Sequence, residues 1–401
     1  MSDFGKLNDY IIGASVKRLS AVECNTSRSN QHELNGTKKM KSYLGEKSEY
    51  IANFIRLDDN QDKIESLPGK VTWYDARENH PTRSEYRLYY QSNPALELAS
   101  AGDPLAVILR KDLTIIFVSA PKDSQSELEL FDLFGEQIST TFKTFDFSDK
   151  QEAISVTKRF ILEEIGIEVK ANFGSNYLDL ITERFGGLVF PKTKIFSALA
   201  REIAGSLTDF DTVDNAIIGW WETEEAMFRQ LEGEIIERKL MEGFSNSDDF
   251  LAFSQTIRQR RNSRAGNALE NHLAHLFSEK DIHHSWEPKT ENNKKPDFLF
   301  PSIDNYLDPN FPDDNLTMLG VKTTCKDRWR QVLTEADRIT EKHLFTLQPK
   351  ISINQTYEMM SAKLQLVIPK SIHSTYTEEQ RRWIWDFEKF VEHVSTLQTG
   401  S

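Results

Sequence analysis

The sequence contains little of what marks membrane, secreted or metal-cluster proteins. Its two cysteines, Cys24 and Cys325, lie far apart in a chain of 401 residues and form no metal-type cluster. No apolar run approaches the roughly 18 residues that span a bilayer, and residues 1–10 lack the basic and apolar segments of a signal peptide. Internal repeats and long low-complexity segments are also missing. These absences predict a protein of the reduced cytoplasm without membrane association.

The charge of the chain is acidic overall but unevenly distributed. The formal net charge of −13 is unusual for a DNA-binding protein, because phosphate contacts supply much of the affinity for DNA. Basic residues nevertheless concentrate at 38–41, 258–264 and 326–330, away from acidic runs at 222–225 and 308–314. Since local charge decides more than the sum, this pattern permits a basic cleft on an acidic body.

The most informative stretch is residues 292–339. Its opening, NNKKPDFLFP, predicts a short strand, and residues 318–324 predict a second one with β-branched side chains. The apolar spacing then becomes that of a helix. The expected apolar stripe of that helix comprises Trp329, Val332, Leu333, Ala336 and Ile339. Two strands followed by a helix make Asp297, Lys322 and Glu335 candidates for one site.

These three side chains suit metal-assisted hydrolysis of a phosphodiester. Carboxylate oxygens are preferred ligands of Mg²⁺, and a nearby lysine can stabilise the developing charge and orient the attacking water. The familiar nuclease pattern has Pro-Asp on one strand and acid-x-Lys on the next, but here Gly320 stands two residues before Lys322. Either the site is inactive or another carboxylate replaces the missing acid, and Glu335 is the obvious substitute.

Several uninterrupted segments resemble the catalytic domain of the EcoRII restriction endonuclease family: SRAGNALENHLAHLF, KKPDFLFP, VKTTCKDRWRQ, EADRI and HLFTLQ. The resemblance covers the C-terminal half of the chain and implies an α/β restriction-endonuclease-like core of the PD-(D/E)xK type. Four residues fall at the family's catalytic positions: Glu270, Asp297, Lys322 and Glu335. By the same resemblance, the three acids among them would bind Mg²⁺. Three residues fall on the segment that reads C·G pairs in related enzymes: Lys326, Asp327 and Arg328.

The N-terminal half predicts short strands separated by turns, which favours a small β-barrel or sandwich. Four segments are rich in β-branched and aromatic residues: 71–76, 85–90, 105–110 and 113–120. The polar run 27–36 is either a solvated loop or a base-contacting segment. Its DNA-binding candidates are Arg28, Asn30, Gln31 and His32. KRLSA, this run and SEYRLYY resemble more loosely the N-terminal domain of the same family, which implies a DNA-binding B3-like β-barrel with helices.

We therefore predict two domains. A DNA-binding domain covers residues 1–172, a linker marked by the polar, glycine-containing ANFGSN covers 173–184, and a catalytic domain covers 185–401. Strands alternate with helices in the catalytic domain, including a final helix over 378–397, so we expect an α/β core.

Two further features each have competing interpretations. Trp220 and Trp221, in a predicted helix over 217–244, are typical of a core or a subunit interface. The family, however, can extrude the central base pair of its target, and an aromatic plane would hold a flipped base by stacking. Four histidines suggest zinc, but neither cysteine nor a repeated spacing supports it; they are His272, His275, His283 and His284.

The leading hypothesis is a sequence-specific type II restriction endonuclease that hydrolyses double-stranded DNA with Mg²⁺. Cutting both strands of a near-palindromic site requires two active sites, so a homodimer is expected. The resemblance implies a short C/G-rich, CCWGG-like target, an additional DNA copy bound by the N-terminal domain, and a cognate DNA methyltransferase as functional partner. The alternatives are a nuclease directed to methylcytosine-containing DNA and a catalytically silent DNA-binding protein.

Overall fold

The chain folds into two units that divide between residues 170 and 171. The N-terminal unit is Asp3–Lys170, and the C-terminal unit includes Ala171–Ser401. The protein's structure is a computed structural model. It describes residues 5–24, 32–59, 64–135, 138–147, 154, 156–169, 177–323, 325 and 329–399. Among these residues, no helix is long and apolar enough to cross a membrane.

A nine-stranded sheet forms the N-terminal unit. Its strands are β1 Ile11–Arg18, β2 Glu33–Asn35, β3 Ser48–Arg56, β4 Ile64–Glu65, β5 Gly69–Asp75, β6 Tyr86–Tyr90, β7 Pro104–Arg110, β8 Ile115–Ser119 and β9 Lys143–Asp146. The hydrogen-bonded order is β2-β6-β5-β3-β8-β7-β1-β9, with β4 paired to β3. Strands β3 and β8 run parallel, and the other pairs run antiparallel. The four strands predicted from β-branched and aromatic content are confirmed as β5 to β8.

Helices in the described part of the N-terminal unit are short. They are α1 Leu7–Tyr10, α2 Ala21–Cys24, α3 Lys41–Leu44, α4 Pro94–Glu97, α5 Gln125–Phe134 and α6 Val156–Glu164. The core includes Phe54, Trp73 and Phe117, all fully buried. Trp73 stacks on Tyr86, and its indole N–H donates to the carbonyl of Gly45. Strands accompanied by helices were expected here, in a small β-barrel or sandwich, and the B3-like barrel stays a prediction.

The C-terminal unit is built on a five-stranded mixed sheet. Its strands are β10 Ser285–Trp286, β11 Phe298–Phe300, β12 Thr317–Lys322, β13 Lys342–Thr346 and β14 Leu364–Val367, in the order β10-β11-β12-β13-β14. The pairs β10–β11 and β11–β12 are antiparallel, and β12–β13 and β13–β14 are parallel. Continuous burial along β13 and β14 is what parallel strands covered on both faces require. The predicted α/β core is confirmed.

Nine helices occur among the described residues of this unit. They are α7 Tyr177–Phe185, α8 Thr193–Ala204, α9 Val213–Glu242, α10 Ser247–Glu279, α11 Ile303–Leu307, α12 Trp329–Val332, α13 Ile353–Ser361, α14 Glu378–Trp383 and α15 Phe387–Thr399. Helix α9 ends at Gly243, whose φ of 81° lets the chain reverse, and Asn246 caps the start of α10. Helix α10 then carries Glu270 to the edge of the sheet.

Three predicted elements differ in the structure. The helix expected to continue to Ile339 ends at Val332, because the chain enters a turn in which Ala336 has a φ of 49°. The single final helix is two helices, α14 and α15, separated where Trp385 bridges to Val367 of β14. Tyr177–Phe185, placed within or beside the expected linker, is a helix whose Ile181 is buried.

Candidate active site

Asp297 and Lys322 meet at the junction of two neighbouring strands. Asp297 directly precedes β11, whose Phe298 pairs with Leu319 of β12. One carboxylate oxygen of Asp297, Oδ2, accepts hydrogen bonds from the backbone N–H of Val321 at 2.6 Å and from Lys322 Nζ at 3.0 Å. The side chain of Asp297 is 14% exposed, and that of Lys322 is 20% exposed. The strand register therefore brings together the largely buried carboxylate of Asp297 and the ammonium group of Lys322, two of the residues that the sequence predicted for one site.

The packing around Gly320 leaves no room for the second acid on β12. A Cβ atom added to Gly320 would lie 2.8 Å and 2.9 Å from the two methyl groups of Val332. Side chains two residues apart on a strand share a face, so an acid at this position would compete with α12 for space beside Lys322. The packing of Val332 thus excludes a side chain at the usual position of the acid.

Glu335 approaches the same site from the turn after α12. Burial, followed by the negative charge of Asp297, raises the pKa of Glu335 to about 7, while Lys322 opposes the shift. Its Oε2 atom is buried and has no hydrogen-bond partner among the described residues. Sequence reasoning placed Glu335 on a helix, whereas the structure places it on the turn, three residues beyond Val332.

Glu270 is the third carboxylate of the candidate site, and its charge, like that of Glu335, interacts with Asp297. Burial and the charge of Asp297 raise the pKa of Glu270 to about 7. The indole N–H of Trp286, on β10, donates to Glu270 Oε2 at 3.1 Å. Trp286 was missed from the sequence, because its partner is set by the packing of α10 against the sheet edge.

The donor set fits a hard divalent cation. Mg²⁺ binds through one or two carboxylates plus substrate oxygens and water, so a complete protein cage is not required. Among the described residues, no group of three His, Cys, Asp or Glu side chains could hold a metal ion, so the fit rests on the chemistry of carboxylate oxygens and on fewer than three protein ligands. Glu335 Oε2 is unpartnered among the described residues, and burial, followed by the negative charge of Asp297, raises the pKa of both glutamates; a bound cation would favour their charged forms.

The candidates for reading DNA bases fall mostly outside the described residues. These candidates are Lys326, Asp327, Arg328, Arg28, Asn30 and Gln31. His32 is described: its ring packs edge-on against Tyr90 at a centroid distance of 5.7 Å. Together with Asn35 and Arg87 it lines an open cavity of the N-terminal unit.

The tandem tryptophans are core residues. Trp220 and Trp221 are both fully buried, and the Trp220 indole N–H donates to the carbonyl of Gly205 at 2.8 Å. Burial leaves neither indole face available to stack on an extruded base. The structure thus confirms the core interpretation.

The four histidines do not converge among the described residues. His272 Nε2 lies 3.1 Å from Glu224, and its Nδ1 lies 3.1 Å from an Arg201 guanidinium nitrogen. His275 pairs with Glu279 at 3.1 Å, and the His284 ring bonds the carbonyl of Ile282. The backbone N–H of His283 donates to Gln398.

Comparison with known proteins adds an independent finding. Residues 228–391 match the family model described as EcoRII C terminal. Over 159 residues the chain is 48% identical to the type II restriction enzyme EcoRII of Escherichia coli. The aligned segment covers 39% of this chain and 39% of that protein. The chain therefore matches well under half the length of this curated relative. Glu270, Asp297, Lys322 and Glu335 all lie within the matched segment.

Two solved structures are also similar. A complex of restriction endonuclease PspGI with substrate DNA has a TM-score of 0.44 at 15% identity and covers 55% of this chain and 96% of that chain. Metal-depleted Ecl18kI with uncleaved DNA has a TM-score of 0.44 at 20% identity and covers 55% of this chain and 83% of that chain.

Proposed function

We propose that this chain is a sequence-specific type II restriction endonuclease acting on double-stranded DNA with Mg²⁺, because residues 228–391 match the family model described as EcoRII C terminal and are similar in sequence to the EcoRII enzyme. One observation carries the proposal. Lys322 Nζ lies 3.0 Å from Asp297 Oδ2, and Glu335 adds a carboxylate where Val332 excludes one from Gly320.

Each residue of the site has a distinct role in the proposed reaction. Asp297 and Glu335 would hold the Mg²⁺, with Glu270 on α10 as a further carboxylate of the site. When bound, the ion supplies positive charge that stabilises the transition state at phosphorus. Lys322, held by Asp297, presents its ammonium group to the scissile phosphate and orients the attacking water, or in its neutral amine form accepts the proton of that water. These roles divide the work between charge stabilisation and proton transfer, and none of them reads a base.

Sequence recognition is proposed for the segment after β12. Arg328 offers a planar fork suited to guanine O6 and N7, and Asp327 can accept from cytosine N4. Lys326 contacts guanine or a phosphate. With the family resemblance, these residues support a short C/G-rich, near-palindromic, CCWGG-like target. A two-fold symmetric target is cut on both strands by two copies of the chain, so the proposed active form is a homodimer.

The N-terminal unit is proposed to bind an additional copy of DNA through a B3-like domain. The loose resemblance of its sequence, its nine-stranded sheet and the polar run 27–36 support this role. A DNA methyltransferase of the same specificity is the expected functional partner, because an unprotected target in the host genome would be cut.

The test is digestion of a mixed-sequence, unmethylated DNA in MgCl₂, followed by sequencing of the ends. We expect ends at one short C/G-rich near-palindrome, and intact DNA with EDTA or with Asp297→Ala. Random ends, or no cleavage by a folded chain, would refute the proposal. Cleavage restricted to a cytosine-methylated copy of the DNA would instead support the modification-directed alternative.

A further inference from the structure

The acid turn, residues 335–339 between α12 and β13, is irregular backbone that carries a proposed metal ligand. Glu335 N–H donates to the carbonyl of Val332 at 3.2 Å, and Ile339 N–H donates to that of Ala336 at 3.0 Å. Ala336 takes a left-handed conformation with a φ of 49°, which a residue with a side chain rarely adopts without support. A turn of this kind needs contacts from other elements to hold one conformation.

Lys342 supports the acid turn from the sheet. This first residue of β13 is 6% exposed. Its ammonium group donates to the carbonyls of Ala336 at 3.0 Å and Ile339 at 2.6 Å. A buried lysine is costly unless its donors are satisfied, and here its described hydrogen bonds go to backbone of the turn. Lys342 therefore joins both ends of residues 336–339 to the start of a central strand.

Arg338 supports the acid turn from the opposite direction. Its guanidinium bonds Asp313 Oδ1 at 2.6 Å and 2.9 Å and donates to the carbonyls of Phe311 at 2.8 Å and Asp308 at 3.0 Å. It also donates to the carbonyl of Tyr306. The planar fork thus ties the turn to the loop after α11 through several donors at once.

A second layer of contacts fixes the backbone of the turn. The Tyr306 hydroxyl donates to both carboxylate oxygens of Glu291, at 2.8 Å and 2.7 Å. The same hydroxyl accepts from the backbone N–H of Arg338 at 3.2 Å, and Glu291 Oε2 accepts from that of Asp337 at 3.4 Å. These bonds leave the turn little freedom immediately after Glu335.

We propose that Lys342 and Arg338 are positioning residues that hold the acid turn so that Glu335 serves in place of the acid missing at Gly320. The expected effect of these two residues on DNA cleavage rests on the proposed function. Their effect on how Glu335 binds a divalent cation does not depend on that function. Neither side chain has a described hydrogen bond to Asp297, Lys322 or Glu335, so their hydrogen bonds act through the backbone of the turn. The charge of Lys342 also acts directly on Glu335, whose pKa it lowers, whereas Arg338 has no such described interaction with Glu335.

A double-mutant cycle separates positioning from general stability. Lys342→Met removes the two bonds to the turn and keeps an apolar stem of similar length. Its matched control is Gln365→Met, since Gln365 is also buried on the sheet and donates only to the carbonyls of Leu366 and Trp383 among its described bonds. Arg338→Met is controlled by Arg382→Met, which loses an exposed pair with Glu378.

The measured quantity is Mn²⁺ affinity by calorimetry, in chains with Glu335 and with Glu335→Ala. Residues that orient metal ligands typically change affinity by about 10–100-fold. We expect Lys342→Met and Arg338→Met to weaken Mn²⁺ binding at least about tenfold when Glu335 is present, and less than about twofold when it is alanine. The two control variants should bind Mn²⁺ as the unchanged chain does.

Single-turnover DNA cleavage is the second measurement. Both variants should lower the cleavage rate at least about tenfold while leaving the KM for DNA nearly unchanged, and Arg338→Lys should recover little because it lacks the fork. Equal losses of Mn²⁺ affinity with and without Glu335, or losses matched by the controls, would overturn the inference. If Lys342→Met does not fold, Arg338→Met, whose side chain is partly exposed, decides alone. If the unchanged chain cuts no DNA, the proposed function fails and the Mn²⁺ cycle still decides the positioning role.

Discussion

Replacing Gly320 by alanine is expected to destabilise the C-terminal unit through a single steric contact. The added methyl would lie 2.8 Å and 2.9 Å from the methyl groups of Val332, closer than carbon atoms pack in protein interiors. Val332 is fully buried on α12, so relief requires that the short helix move. Overpacking of this kind costs about 1–3 kcal/mol of unfolding free energy.

Val332→Ala supplies the second arm of the experiment. Alone, it loses roughly 2 kcal/mol, since each buried methylene contributes about 0.8 kcal/mol and a small cavity remains. In the double variant the alanine methyl at residue 320 occupies part of that cavity. The two changes should therefore compensate each other, with an interaction energy of about 1–2 kcal/mol.

The assay is urea unfolding monitored by tryptophan fluorescence and circular dichroism. Gly233→Ala in α9 is the matched control, because nothing lies within 4 Å of its added Cβ; it should be neutral or stabilising by up to about 1 kcal/mol. The reasoning is refuted if Gly320→Ala is as well tolerated as Gly233→Ala, or if its cost simply adds to that of Val332→Ala.

Four further predictions concern the site. Asp297→Ala and Lys322→Ala should each lower the single-turnover cleavage rate at least about a hundredfold while DNA binding by gel shift persists; near-normal cleavage by either would remove it from the site. Glu335→Ala should be as damaging as Asp297→Ala, and Glu270→Ala less so, which parallel rate measurements will rank. Burial and the charge of Asp297 raise the pKa of Glu335 and of Glu270 to about 7 from 4.5; the folded chain thus binds more protons than the unfolded chain, and the unfolding free energy without metal should fall as pH rises through about 7. Urea titrations from pH 5 to 8 should show this slope, and Glu335→Gln should reduce it. Arg328→Ala should cost about 1–3 kcal/mol of discrimination at one G·C pair, measured by binding to single-base variants at two salt concentrations; a uniform loss for all sequences would make Arg328 a phosphate contact.

Local patterns in the sequence predicted many of the elements. Apolar and β-branched residues identified the strand that follows Asp297 and the strand that carries Lys322, and helical spacing identified the long helix α9. Both periodicities depend on which side chains can share a buried face, and the chain carries that information locally. The missing acid at Gly320 was also visible, and Glu335 was the candidate to replace it, which stays a prediction.

The surroundings of those residues were decided by tertiary contacts. Apolar spacing predicted a helix through Ile339, but the structure has a turn there instead. Lys342 donates to backbone carbonyls of this turn, and Arg338 donates to the loop after α11. A lysine at the first position of a buried strand was a local signal of this arrangement. Whether Trp220 lay in a core or faced a ligand likewise depended on what packs against it.

By itself, the sequence determined which residues were candidates for a nuclease site and which strands lie at or beside two of them, because strand and helix periodicity is a property of neighbouring residues. Only the tertiary structure decided that Val332 excludes an acid at Gly320, that Trp286 bonds Glu270, and that Glu335 projects from a turn. These contacts join residues distant along the chain or depend on backbone angles that side-chain patterns do not encode. Their geometry arises only when the sheet and its helices pack together.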